Sequence, residues 1–103
     1  MAIHKSSRQV DDETQILSKL MEERALGRYA FFFVTGEGET MPNGVEDASG
    51  HVIDEQGRVY AFWLGWDDRR QSPAFTEWKE VEPESNWLES TEYRQARERV
   101  GLN

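Results

Sequence analysis

The chain has 103 residues, of which 37% are hydrophobic and 31% charged, and it carries a net charge of −8. This length suits one domain with one modest core, and the acidic balance makes nucleic-acid phosphates and anionic membranes poor partners. The lack of cysteine excludes disulfides, thiolate metal sites and cysteine nucleophiles. No apolar run is long enough to cross a bilayer, and the N-terminus lacks the apolar middle of a signal peptide, so we expect a soluble, cytoplasmic protein.

The N-terminal part of the chain divides into a tail and a helix. Residues 1–10 show little apolar patterning and are predicted to be a flexible tail, which leaves residues 11–103 as a single α+β domain. Asp11 or Asp12 can cap a helix that ends at Gly27. Its apolar residues recur at helical spacing and need a surface to cover them; they are Ile16, Leu17, Leu20, Met21 and Leu26.

A first strand and a long acidic loop follow. The strand runs from Tyr29 to Thr35, and strict alternation places Phe31 and Phe33 on one face and Phe32 and Val34 on the other. Residues 36–50 are acidic and contain no basic residue. A connection of this length is unusual, so we expect it to be mobile, functional, or to hide a short strand.

The most informative segment is an aromatic strand from Arg58 to Trp66, which forms a hairpin with residues 51–54 through a turn at Gly57. Its composition predicts a position at or near the centre of the sheet. Alternation puts Trp63 with the small residues Ala61 and Gly65 on one face. The bulkier set lies on the other face and consists of Tyr60, Phe62, Leu64 and Trp66.

The last part of the chain predicts a charged edge strand over residues 75–81 and a helix over residues 86–100. Ser90 is an alternative cap, in which case Trp87 belongs to a separate turn that fixes the chain to the sheet. The simplest arrangement is an antiparallel meander of three to four strands with both helices against one face. We expect the helices to cover the bulkier face, and Trp78 is a candidate to join Trp63 on the open one.

The titratable residues do not form a recognisable catalytic pattern. His51 and Asp54 point to opposite faces of a strand, which argues against a histidine–carboxylate pair. The carboxylates of residues 37–47 lack the spacing of a calcium-binding loop, and we expect no metal and no cofactor. Arg69 or Arg70, directly after the aromatic strand, could clamp a carboxylate or phosphate.

These observations favour a non-enzymatic protein-interaction or regulatory module that uses an aromatic sheet face, with a protein partner or a second copy of the chain as its ligand. The alternative is a small-molecule binder or small enzyme with an aromatic pocket between sheet and helix. An acidic mimic of nucleic acid is a weaker third hypothesis, because the carboxylates are spread over helices and loops. The candidate binding residues are Tyr60, Trp63, Trp66, Trp78, Arg69 and His51.

Overall fold

The protein is built on one antiparallel sheet with a helix at each end of the chain. The computed structural model describes residues 7–102, with side chains from residue 13 onward. The elements are α1 (Ser7–Glu22), β1 (Tyr29–Thr40), β2 (Glu46–Asp54), β3 (Val59–Asp67), β4 (Ser72–Val81), a 3-10 turn (Ser85–Glu89) and α2 (Thr91–Arg99). The strands pair in the order β1-β2-β3-β4, so the predicted α+β meander is confirmed. Helix α1 begins at Ser7, and the rest of the predicted tail, residues 1–6 with His4, lies outside the described residues.

The two helices lie on opposite faces of the sheet, and the prediction that both cover one face is wrong. Residues of α1 pack with the bulkier set of β3 on what we call the α1-side face; this cluster includes Leu17, Ala48, Phe62 and Leu64. Residues of α2 pack on the α2-side face in a second cluster that includes Phe32, Ile53, Val59, Tyr93 and Val100. Both faces of β2 and β3 carry apolar residues, so neither face can be left wholly to water.

A bulge in β1 changes which aromatic residues share a face. Phe33 has a positive φ of 54°, and the pairing register with β2 shifts between Phe32 and Thr35. Phe33 therefore packs with Phe32 on the α2-side face, whereas Phe31 and Val34 pack on the other, and the strict alternation predicted for this strand is wrong. A positive φ costs a non-glycine residue about 1–3 kcal/mol. The ring contacts of Phe33 with Phe32, His51 and Trp87 offset this cost, since each is worth about 0.5–1.5 kcal/mol.

The acidic segment over residues 36–50 is mostly strand, and not a long loop. It contains the end of β1, a five-residue connection and the first half of β2. Its carboxylates hold this hairpin together: Gly38 N donates to Glu46 Oε2 at 2.6 Å, and Glu39 N donates to Asp47 Oδ1 at 3.1 Å. Of the three expectations for this segment, a hidden strand agrees best with the structure, which extends β1 and β2 into it and forms no separate strand. Glycine and acidic residues are uncommon in strands, so the composition of the segment concealed these extensions.

The start of α2 follows the second of the two predicted alternatives. Ser90 is the N-cap, and its Oγ accepts a hydrogen bond from Tyr93 N at 3.3 Å. Trp87 lies in the preceding 3-10 turn, is 8% exposed, and packs its ring against Phe32 and Tyr93. This tryptophan fixes the C-terminal segment to the sheet.

The turn between β2 and β3 depends on Asp54, which is only 1% exposed. Its Oδ1 accepts hydrogen bonds from Gln56 N at 3.0 Å and from Arg58 N at 2.9 Å, and its Oδ2 accepts one from Arg58 Nε at 3.0 Å. The same contact raises the pKa of Arg58, because the charged guanidinium is hydrogen-bonded and attracted to the carboxylate. Gly57, with φ of 85°, completes the turn in a conformation that favours glycine.

We predict that Asp54→Ala lowers the free energy of unfolding by about 2–3 kcal/mol, since it leaves turn N–H groups without an acceptor. Urea unfolding measures the loss. Arg58→Ala is the matched control, because it removes one side-chain hydrogen bond to the carboxylate and keeps the two hydrogen bonds that the carboxylate accepts from backbone N–H groups. Its effect should be smaller. Equal losses in the two variants would contradict this account of the turn.

Candidate functional site

The six residues proposed from the sequence do not form one site. Tyr60, Trp66 and Trp78 lie on the α1-side face, and Trp63 and His51 lie on the α2-side face. Arg69 lies in the turn between β3 and β4. The prediction that Trp63 and Trp66 face opposite sides is correct, but Trp78 joins Trp66 and not Trp63.

Trp63 is the centre of a surface in which small and acidic residues surround one indole. Its neighbours across the strands are Ser49 on β2 and Glu77 on β4. The indole Nε1 donates a hydrogen bond to Asp47 Oδ2 at 3.3 Å, and Ser49 Oγ donates one to Glu37 Oε1. We call this group the Trp63 surface; its members are Glu37, Asp47, Ser49, Ala61, Trp63 and Glu77.

The helices leave the Trp63 surface largely uncovered. Helix α2 makes its main contacts with β1, at one edge of the sheet and away from Trp63, whereas α1 lies on the opposite face. Trp63 and Ala61 are accordingly half-buried, and Glu77 and Lys79 are exposed. Gly65 beside Trp63 is covered by the side chain of Thr76, which bulges from β4 and donates a hydrogen bond to Trp63 O at 3.3 Å.

The tryptophans of the α1-side face are engaged in contacts within the protein. Tyr60 stacks on Trp78 with ring centroids 5.0 Å apart, and Trp78 contacts Phe75 at 5.0 Å. The guanidinium of Arg24, just beyond α1, lies 4.5 Å from the centroid of Trp78, which is a cation–π geometry. Trp66 packs against the same cluster. These aromatic residues are half-buried, as Trp63 is, but their rings contact one another and Arg24.

His51 belongs to an aromatic cluster on the α2-side face. Its ring stacks on Phe32 at 5.3 Å and meets Trp87 edge-on at 5.0 Å. Nδ1 is buried and has no hydrogen-bond partner among the described residues. Burial lowers the pKa of His51, with Glu84 opposing the shift, so the ring is neutral at pH 7. Asp54 is occupied by the β2–β3 turn, in agreement with the predicted absence of a histidine–carboxylate pair.

The turn after β3 separates the roles of its two arginines. Asp67 Oδ1 accepts hydrogen bonds from the backbone N–H groups of Arg69 at 2.9 Å and Arg70 at 3.3 Å. Both side chains are exposed, but only Arg70 lines the cleft between this turn and α1. Of the two arginines named as a possible clamp, Arg70 is therefore the one beside a cleft, and Arg69 is not.

The described residues give no support to a catalytic or metal centre. Among the side chains that the structure describes, residues 13–102, no group of three or more histidine or acidic side chains is placed to hold a metal ion. His51 contacts aromatic rings and no nucleophile, so it lacks the oriented partner that a general base needs. Sequence reasoning missed Glu37 and Glu77 as neighbours of Trp63, because only the strand register brings them there.

The chain shows no significant similarity to known proteins: no family model, no curated protein and no solved structure matches it. None of the helices within residues 7–102 has the length and apolar character needed to cross a membrane.

We predict that the free energy of unfolding falls as the pH is lowered through 6.5, the ordinary pKa of histidine. The folded state keeps His51 neutral, so in this range the unfolded chain binds more protons, and stability rises with pH. Urea unfolding between pH 7.5 and about 5.5 measures the slope. His51→Gln should flatten it; an unchanged slope would contradict the assignment of the effect to His51.

Proposed function

We propose that this protein is a non-enzymatic interaction module whose Trp63 surface binds a basic segment of a protein partner. The observation that supports it is the juxtaposition of the half-buried Trp63 indole with Glu37, Asp47 and Glu77, on a part of the sheet that no helix within the described residues covers. A lysine or arginine side chain lying over Trp63 would gain a cation–π contact and a carboxylate partner at the same point.

The charges around Trp63 support a cationic ligand more than a second copy of the chain. Three carboxylates lie around Trp63, whereas the nearest basic residue in the strand register is Lys79, which lies across from Ala61. A two-fold contact through this surface would oppose like charges, whereas a basic segment would neutralise them. The net charge of −8 would also speed the encounter with a basic partner.

A small enzyme is the less supported alternative, since His51 packs among aromatic rings and its Nδ1 has no hydrogen-bond partner among the described residues. A cytoplasmic location is part of the proposal, because it suits a chain without cysteine. Self-association remains an outcome that sedimentation of the isolated protein can report.

The direct experiment titrates the protein with a short peptide of alternating arginine and alanine and follows the indole N–H resonances of the four tryptophans. We expect the Trp63 signal to shift most, because the ligand lies on its ring. Trp63→Leu keeps an apolar group but removes the ring, and it should weaken binding by about two- to fivefold, the value of one exposed cation–π contact.

Removing the same charge at two different places distinguishes binding at the Trp63 surface from general electrostatic attraction between the peptide and an acidic protein. Glu37→Gln with Glu77→Gln should weaken peptide binding more than Glu82→Gln with Glu98→Gln, which removes the same charge from exposed positions outside the Trp63 surface. Equal effects of the two pairs, together with a Trp63 resonance that does not move, would refute the proposal.

A further inference from the structure

A concave region lies on the α1-side face of the sheet, between α1 and the turn that joins β3 to β4. This α1 cleft has a volume of about 520 Å³. Its floor and walls are partly apolar and its rim is charged; the lining residues that matter here are Ile16, Leu20, Phe75, Lys19, Arg24 and Arg70. The volume falls within the range of small-molecule sites, which is about 300–1,000 Å³.

Three basic side chains line the α1 cleft, and none of them forms a salt bridge with another described residue. The structure records no ion pair for Lys19, Arg24 or Arg70 within the described residues, although the chain is strongly acidic. Arg24 lies over the rings of Phe75 and Trp78 at 5.5 and 4.5 Å from their centroids. Stacking holds its guanidinium at the apolar wall and leaves its N–H groups without a carboxylate partner.

Two carboxylates also line the cleft, and they limit the charge of the ligand. Asp67 accepts hydrogen bonds from the backbone of the turn, so part of its acceptor capacity is already used. Glu23 is exposed. With three cations and two carboxylates, the lining carries one net positive charge, which matches a monoanion better than a phosphate with two charges.

We propose that the α1 cleft binds a small organic carboxylate with an apolar body, such as an alkyl or aryl acid. The apolar body would lie against Ile16, Leu20 and Phe75, and the carboxylate would lie among Lys19, Arg24 and Arg70. An arginine donates two parallel hydrogen bonds to a carboxylate, so the rim provides both charge and orientation. Asn43, at the end of the cleft beside the β1–β2 turn, adds a neutral polar group.

This ligand site is independent of the proposed partner site, since the two lie on opposite faces of the sheet. Trp63→Leu should leave carboxylate binding unchanged, and substitutions at Lys19 and Arg70 should leave peptide binding at Trp63 unchanged. Failure of one proposal can therefore be told apart from failure of the other.

The test uses decanoate as the probe, with 1-decanol as its neutral counterpart of equal chain length. Calorimetric titration of the whole chain should show saturable binding of decanoate and markedly weaker binding of decanol. The backbone amide resonances that move should be those of residues 16–24 and 70–75. Lys19→Gln combined with Arg70→Gln should weaken decanoate binding by about tenfold or more, the value of one or two charge-assisted hydrogen bonds.

The matched control is Lys79→Gln combined with Arg69→Gln, which removes one lysine and one arginine outside the cleft lining. It should change the affinity by less than about twofold, as expected for screened surface charges. The proposal is overturned if decanol binds as tightly as decanoate, if the two double variants lose affinity equally, or if decanoate does not bind at millimolar concentration.

Discussion

The alternation of side chains along β3 is the constraint on which the rest of the molecule depends. The strand carries Val59 and Trp63 on one face and the larger set from Tyr60 to Trp66 on the other, so both faces of the sheet need cover. Each of the two helices packs on one face. Helix α1 packs on the bulkier face, and α2 packs on the other face, over the edge strand β1. Because α2 spans only nine residues, the part of its face around Trp63 is left open.

The uneven cover also separates the charges of the protein. Carboxylates collect around Trp63, where the acidic hairpin of β1 and β2 reaches the sheet surface. On the opposite face, three cations that form no ion pair among the described residues line the cleft between α1 and the β3–β4 turn, together with two carboxylates. The Trp63 surface and the α1 cleft therefore differ in charge. For this reason the two proposed ligands, a basic segment and an organic carboxylate, carry opposite charges.

The parts of this structure that follow from local patterns were predictable from the sequence. The aromatic composition of β3 and the turn residue Gly57 each act over a few residues, and the structure agrees with them. The cap at Ser90 was one of two alternatives that the local pattern left open. The bulge at Phe33 was not predictable, because contacts with Trp87 and Glu92, far along the chain, hold its positive φ. The faces chosen by the helices, and the pairing of Trp63 with Glu77, likewise depend on long-range packing and register.

The central claim is that α1 and α2 pack on opposite faces of the sheet, and nuclear Overhauser effects between methyl groups test it most directly. The account predicts contacts from Leu17 to Ala48 and Leu64, and separate contacts from Val100 to Ile53 and Val59. Contacts from Leu17 to Ile53 or Val59 would place both helices on one face. That result would contradict the account, because the Trp63 surface would then be covered and the α1 cleft would not exist.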